Sequence, residues 1–340
     1  MNICKLLKHY AERHQPDRVE PLPDNTGFSG ASIARLHTPA GEFCLRGWPA
    51  GGLPRQRLLG LHRLLAEIAR RSDVPVAVPV VADNGTTLVT SHGRLWQLEP
   101  WLPGKADFWQ HPGEPRLSTA MRCLANWHRA AATFQPRADE ARWFASRASA
   151  PSPAVHERLD RIRRDQSERC PRIRRALDVA VDSELREIGR AILDGFDRAA
   201  ATIAAELNAA EATCYRLQPC LRDVWHDHVL FTDDAVTGLI DASACRSENV
   251  ATDLARLLGS FLGDDRATWD TALDVYRTSN PLSLDELALV RLLDRSSVLL
   301  SGLFWLDQIF LQGRRFSQPP RVVRLLQRIQ DRLTHLCQSF

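Results

Sequence analysis

Asp223 and Asp241 bracket the stretch of this chain best suited to chemistry, which reads Asp-Val-Trp-His-Asp-His-Val-Leu-Phe-Thr-Asp-Asp-Ala-Val-Thr-Gly-Leu-Ile-Asp. Two apolar runs, Val229 to Phe231 and Val236 to Ile240, predict strands joined across polar Thr232-Asp233-Asp234. A hairpin returns the chain to the end at which it entered, so the two flanking carboxylates come together. One can then serve as a general base and the other as a metal ligand, a division of labour that suits phosphoryl transfer. Asp233 and Asp234 read instead as exposed turn residues.

The elements that must position this pair fall into two groups. Ahead of it, Ala31 to His37 and Glu42 to Trp48 predict strands around the turn Thr38-Pro39-Ala40-Gly41. A helix is expected from about Arg55 to Arg70, where Leu58, Leu59, Leu61, Leu64, Leu65 and Ile68 form a broad apolar stripe. Ala77 to Ala82 and Thr87 to Thr90 flank the turn Asp83-Asn84-Gly85, and Leu95 to Glu99 predicts a further strand before Leu102-Pro103-Gly104. Beyond about Asp107 helices dominate: Leu117 to Ala131, His156 to Arg175, Glu184 to Ala209 and the last sixty residues. Ser146 to Val155 reads as a loop, and the hairpin is the one clear β island in this half. Residues 1–101 and 102–340 are thus expected as two lobes, in keeping with a chain of 340 residues.

Composition narrows the partners. The 44 Lys and Arg against 41 Asp and Glu leave a net charge of +3, too balanced for a chain built mainly to neutralise a nucleic acid backbone. Lysine occurs only at Lys5, Lys8 and Lys105, so any role needing a cation falls almost entirely to guanidinium groups. Eight cysteines form no Cys-x-x-Cys pair, which favours free thiols in a reducing cytosol over a structural zinc site. The N-terminus lacks an uninterrupted apolar core, and Val298 to Leu311 is broken by Ser301, Gly302, Asp307 and Gln308, so neither a signal peptide nor a membrane span is expected. A cytoplasmic protein is the expectation. The arginines between Arg158 and Arg175 are interleaved with Glu157, Asp160, Asp165 and Glu168 and read as a solvated helix face.

Several short motifs fit one pattern. Asn25-Thr26-Gly27-Phe28-Ser29-Gly30 looks like a loop over nucleotide phosphates, Leu98-Glu99-Pro100-Trp101 like a hinge, and Leu124-Ala125-Asn126-Trp127-His128 like a helix carrying Leu-x-x-Leu-His. Leu221-Arg222-Asp223 through His228-Val229-Leu230 stands in the place of a His-Gly-Asp-x-x-x-x-Asn catalytic loop. Leu239-Ile240-Asp241 stands in that of an Ile-Asp-Phe metal motif, with Asp253-Leu254-Ala255 following. Taken together the chain resembles the aminoglycoside phosphotransferase and choline kinase families. The resemblance implies an α+β, bilobal protein kinase-like fold and a phosphotransferase that passes the γ-phosphate of ATP or GTP to a hydroxyl of a small substrate, with Mg²⁺ as cofactor. It assigns Asp223 to the substrate hydroxyl and Asp241 to the metal. Gly27, Ser29 and Gly30 would cover the phosphates and Arg46 would contact them, while the backbone from Gln97 through Glu99 to Pro100 would meet the base. Substrate would sit between the Asp223 loop and the helices on either side of Ser146 to Val155.

Four positions depart from that pattern. Arg46 replaces the strand lysine, and the helix glutamate that orients it falls near His62, with Glu67 a second candidate, so the usual ion pair is not expected. His228 replaces the loop asparagine; it is either a ligand in a site preferring Mn²⁺ or a structural histidine bonded to a backbone carbonyl. Leu221-Arg222 replaces His-Gly, and Arg222 beside Asp223 would weaken that carboxylate as a base while leaving it able to orient a hydroxyl. Two other readings stay open: a zinc site built from His226 and His228 with Asp223 or Asp227, and a catalytically silent member that binds nucleotide or another ligand.

Overall fold

The computed structural model describes residues 3–22, 30–314, 316 and 319–340. The chain divides into two compact units, one comprising Met1–Ser146, Gln218–Ser247 and Asp270–Pro281, the other Arg147–Leu217, Glu248–Trp269 and Leu282–Phe340. The first holds the expected N-terminal strands together with the hairpin between Asp223 and Asp241.

In the first unit the chain runs α1 (Ile3–Leu7), β1 (Arg18–Pro21), β2 (Ser32–Thr38), β3 (Gly41–Gly47), α2 (Arg55–Arg71), β4 (Val89–Ser91), β5 (Arg94–Pro100), α3 (Glu114–Ala132) and α4 (Ala141–Phe144). The five strands form one antiparallel sheet in the order β1-β2-β3-β5-β4. Period-two alternation divides its side chains between two faces. Leu36, Phe43, Leu45, Trp96 and Leu98 pack on Leu6, Leu7 and Tyr10 on one side. On the other, Trp48 packs with Leu58 of α2 and Leu88. The apolar stripe of α2 is buried as its spacing predicts. Ala77 to Ala82 does not form the expected strand. Pro79 removes an amide donor there and Pro75 another just before it, and the segment is held by bonds from Val80 N to Leu98 O (2.7 Å) and from Ala82 N to Thr86 O (2.8 Å).

The chain then forms β6 (Arg147–Pro151), α5 (Pro153–Arg164), α6 (Cys170–Asp178), α7 (Ser183–Ala210) and β7 (Cys214–Cys220). It returns to the first unit for the hairpin β8 (Val229–Thr232) and β9 (Ala235–Leu239), and continues through α8 (Ala251–Leu262), α9 (Arg266–Arg277), α10 (Leu284–Leu306) and α11 (Pro319–Gln338). Half of the loop expected over Ser146 to Val155 is instead strand, since β6 pairs antiparallel with β7 at Arg147↔Leu217 and Pro151↔Cys214. Its Arg-Ala-Ser-Ala-Pro sequence is mostly exposed and carries no apolar alternation that would have revealed it. A π-helical turn at Asp165–Arg169 divides the single helix expected over His156 to Arg175. Asp165 is buried there, 2.9 Å from Arg169 and 3.6 Å from Arg161, so acids do offset the arginines of this face.

At the centre of the second unit lies α7, with Ile188, Ile192, Leu193, Phe196 and Ile203 buried and Asp182 capping its first turn by accepting from Leu185 N. No helix among the described residues is long and apolar enough to cross a membrane. Close approach of α10 to α7 depends on Gly302, where an added Cβ would lie 2.5 Å from Ile192 Cγ2. Gly302→Val is accordingly expected to lower unfolding free energy by about 2 kcal/mol through overpacking, read from the denaturant midpoint at unchanged m-value.

Candidate active site

The hairpin pairs Val229↔Leu239 and Leu230↔Gly238, shifts register by a bulge, and closes at Thr232↔Ala235 across Asp233-Asp234. It is fixed on both sides by backbone. Leu239 N donates to Pro75 O (2.8 Å), while Lys105 and Phe231 exchange both amide bonds at 2.9 Å. Gly104 permits the second contact: it holds φ +102, and a Cβ there would lie 2.3 Å from Thr237 Oγ1 and 2.7 Å from Phe231 O.

His228 ties the two aspartate segments together. Its Nδ1 lies 2.7 Å from the Asp223 carbonyl oxygen, its own carbonyl accepts from Ile240 N at 3.0 Å, and its Nε2 is 4.0 Å from Asp241 Oδ2. Trp225 Nε1 donates to that same Nε2 at 3.0 Å. An indole nitrogen only donates and a carbonyl only accepts, so the ring is the neutral tautomer with its proton on Nδ1. Both nitrogens are committed, and binding an ion at Nε2 would mean giving up the Trp225 bond. His226 faces elsewhere, stacked on Trp109 with ring centroids 3.5 Å apart. Among the described residues, Asp223, His226, Asp227, His228 and Asp241 bring no three donor atoms close enough to share one ion, which leaves the zinc reading without a site.

Asp241 sits in the left-handed region at φ 57 and ψ 57, a conformation aspartate tolerates better than most residues. Arg222, beside Asp223 where the resemblance has glycine, likewise holds a positive φ of 65. Burial works to raise the Asp241 carboxyl. The Arg46 guanidinium and hydrogen bonds from the Ser243 side chain and backbone outweigh it, so the group lies below the usual carboxylate range and is ionised at neutral pH. The Ser243 carbonyl in turn accepts from Arg57 of α2 at 3.1 Å.

Arg46 lies between two carboxylates, its Nε 3.3 Å from Glu99 Oε1 and its Nη1 3.6 Å from Asp241 Oδ1. Desolvation opposes its charge, but these two partners prevail and hold the guanidinium above its ordinary range. An ion pair to Arg46 therefore exists, from β5 and not from α2. Gln97 and Glu99 turn their side chains inward beside Arg46, because β5 alternation puts both on one face and the register sets Gln97 opposite Arg46. Gln97 Nε2 donates to Glu99 Oε2 (2.6 Å), and Gln97 Oε1 accepts from Trp48 Nε1 (2.8 Å). His62 Nε2, 3.1 Å from Gln97 Oε1, supplies a second proton, while its Nδ1 lies 2.6 Å from the Thr87 hydroxyl. Glu67, the other helix candidate, pairs with Arg70 and Arg71 of its own helix.

Every expected site residue that the structure describes lies in the first unit: Gly30, Arg46, Gln97, Glu99, Pro100, Asp223, His228 and Asp241. Gly30 has the positive φ of 65 that glycine accommodates. Gly27 and Ser29 lie outside the described residues. Sequence reading missed the side-chain roles of Gln97, Glu99, Trp225, Arg57 and Ser243. For the first two a signal existed, since polar residues alternate with Leu98 on a strand already expected. For Trp225 none did, as its contact is made by the loop's own fold.

A five-stranded antiparallel sheet with one long helix, an ion-paired strand cation and a hairpin flanked by two aspartates defines a protein kinase-like fold. The chain belongs to the phosphotransferase enzyme family, whose model matches residues 22–289. Among solved structures it is similar to the amicoumacin kinase hAmiN in complex with AMP-PNP, Ca²⁺ and amicoumacin. That match has 15% identity and a TM-score of 0.65, and covers 97% of this chain and 92% of that one. The spectinomycin phosphotransferase APH(9)-Ia with ADP and spectinomycin gives 10% identity and TM-score 0.68, over 98% and 97%. A microcompartment-associated aminopropanol kinase gives 16% and 0.60, over 98% and 94%. At these identities the likeness is one of fold. Comparison with curated protein sequences finds no match.

Burial holds the His62 ring neutral, with its pKa pushed down to about 4 from 6.5. Between those values the folded chain binds fewer protons than the unfolded one, so stability falls as pH drops through this window and is unaffected above it. The loss attributable to His62 is at most about 3 kcal/mol by pH 4. In thermal unfolding followed from pH 7 to 4, His62→Gln is expected to show a shallower decline than the wild type.

Proposed function

We propose that this family member is a small-molecule kinase that transfers the γ-phosphoryl group of ATP or GTP to a substrate hydroxyl. The observation that carries the reading is the meeting, within one unit, of the Asp223 loop, the ionised Asp241 carboxylate and the half-buried, ion-paired Arg46 cation. The nucleotides named for the amicoumacin and spectinomycin kinases support ATP as donor, and their substrates support a small acceptor.

In this reading Asp223 accepts the proton of the attacking hydroxyl and holds its oxygen toward the phosphorus. Arg46 offers two or more N–H groups to phosphate oxygens. Asp241 fits a hard divalent cation, since it is an ionised, partly exposed oxygen donor fixed by Ser243. Mg²⁺ or Mn²⁺ bound there with the nucleotide phosphates would neutralise charge on the transferring group. His228 keeps the loop and Asp241 in register. Gly30, with Gly27 and Ser29, would cover the phosphates by backbone amides, and the backbone from Gln97 to Pro100 would meet the base.

One observation favours a second reading, a nucleotide-binding protein without turnover: His228 Nε2 is occupied by Trp225, which leaves Asp241 the single metal ligand from this loop pair. Asp223→Asn separates the two. In an active kinase it is expected to lower turnover by roughly 10² or more while nucleotide affinity changes little. A thermal-shift titration with ATP, GTP and ADP, with and without Mg²⁺ or Mn²⁺, should give a metal-dependent rise in Tm that Asp241→Ala abolishes. No shift with any nucleotide would sink both readings.

A further inference from the structure

The helix position at which related kinases carry a carboxylate is neutral here, yet the strand cation is not left without one. Both oxygens of Glu99 are directed: Oε1 to Arg46 Nε at 3.3 Å and Oε2 to Gln97 Nε2 at 2.6 Å. Gln97 is itself anchored by Trp48 from the end of β3 and by His62 from α2. The partners are diagonal cross-strand neighbours, since Cys44 faces Glu99 and Arg46 faces Gln97 in the β3–β5 ladder.

We propose that Glu99 is the positioning residue for Arg46, supplying from β5 the carboxylate otherwise carried by the helix, so that two adjacent strands present the guanidinium to nucleotide phosphates. The inference rests on the nucleotide-binding reading above. The charge set is one cation and two carboxylates, as in a lysine, glutamate and aspartate site, with the orienting acid relocated. Glu99 also divides Arg46 between two anions. Without it the guanidinium would turn wholly to Asp241 and neutralise the residue that must meet the metal. Helix α2 keeps a part through His62 and Gln97, made of neutral hydrogen bonds with no ionic contact to Arg46.

A double-mutant cycle tests this, with calorimetric affinity for AMP-PNP and Mg²⁺ measured on wild type, Glu99→Gln, Arg46→Ala and the double variant. Glu99→Gln is expected to weaken binding about tenfold or more in the wild-type background and less than about twofold once Arg46 is alanine. Equal weakening in both backgrounds, or none in the wild type, overturns the proposal, because a merely structural role would not depend on Arg46. Should Glu99→Gln fail to fold, Glu99→Asp takes its place in the cycle; it retains the charge but withdraws it by one methylene, and the same non-additivity is expected. A wild type that binds no nucleotide defeats the underlying reading and this inference with it. A wild type that binds, with a cycle that is additive or flat, defeats only the inference.

Discussion

A guanidinium whose side chain is left only 11% exposed is the demand around which the first unit is arranged. Taking Arg46 out of water costs several kcal/mol unless it is paired and hydrogen-bonded. Two of its partners come from separate segments, Glu99 on β5 and Asp241 after β9, and a third is the ring of Trp48 just past the end of its own strand, whose centroid is 5.5 Å from the guanidinium carbon. Each of the two ionic contacts holds a different element to β3. Because both acids lie within 4 Å of the guanidinium, loss of either leaves the cation under-compensated in a place water reaches poorly. The site and the fold of this unit therefore share one electrostatic cause.

Around His228 a second, uncharged network does the same for the loop. The ring spans from the Asp223 carbonyl to within 4.0 Å of Asp241, and its proton position follows from partners that can act in only one sense. An asparagine could bond the same carbonyl, but it would not reach the Trp225 indole with a ring acceptor. The replacement thus exchanges a flexible amide for a rigid spacer between the two carboxylate segments. Left-handed backbone at Arg222 and Asp241, on either side of that spacer, is local strain of the kind that persists where surrounding bonds over-determine the chain.

Much of this was legible in the sequence. The hairpin, the α2 stripe, the strand carrying Arg46 and the closeness of the two aspartate segments followed from apolar period and turn chemistry, and the structure places them as expected. What failed did so for physical reasons. The Ala77 to Ala82 run is strand-like in apolar content, but Pro79 within it and Pro75 just before it deny it ladder donors. The strand at Arg147–Pro151 was invisible because it buries almost nothing, its pairing being carried by backbone alone. Family pattern points to α2 for the partner of Arg46, whereas strand parity points to β5. Parity alone would have put Gln97 and Glu99 on one side of β5.

An arginine at this place changes what chemistry can touch the site. Lys5, Lys8 and Lys105 are the chain's whole supply of side-chain amines, and none belongs to the Arg46 network. A guanidinium that never surrenders its proton has no lone pair with which to attack an acyl or sulfonyl group. Cys44, two residues away on the same strand, offers no substitute nucleophile, because burial and the neighbouring Glu99 push its thiol up and keep it protonated. Nucleotide-shaped reagents that mark kinases by acylating their strand amine would pass this protein by, however well they fitted.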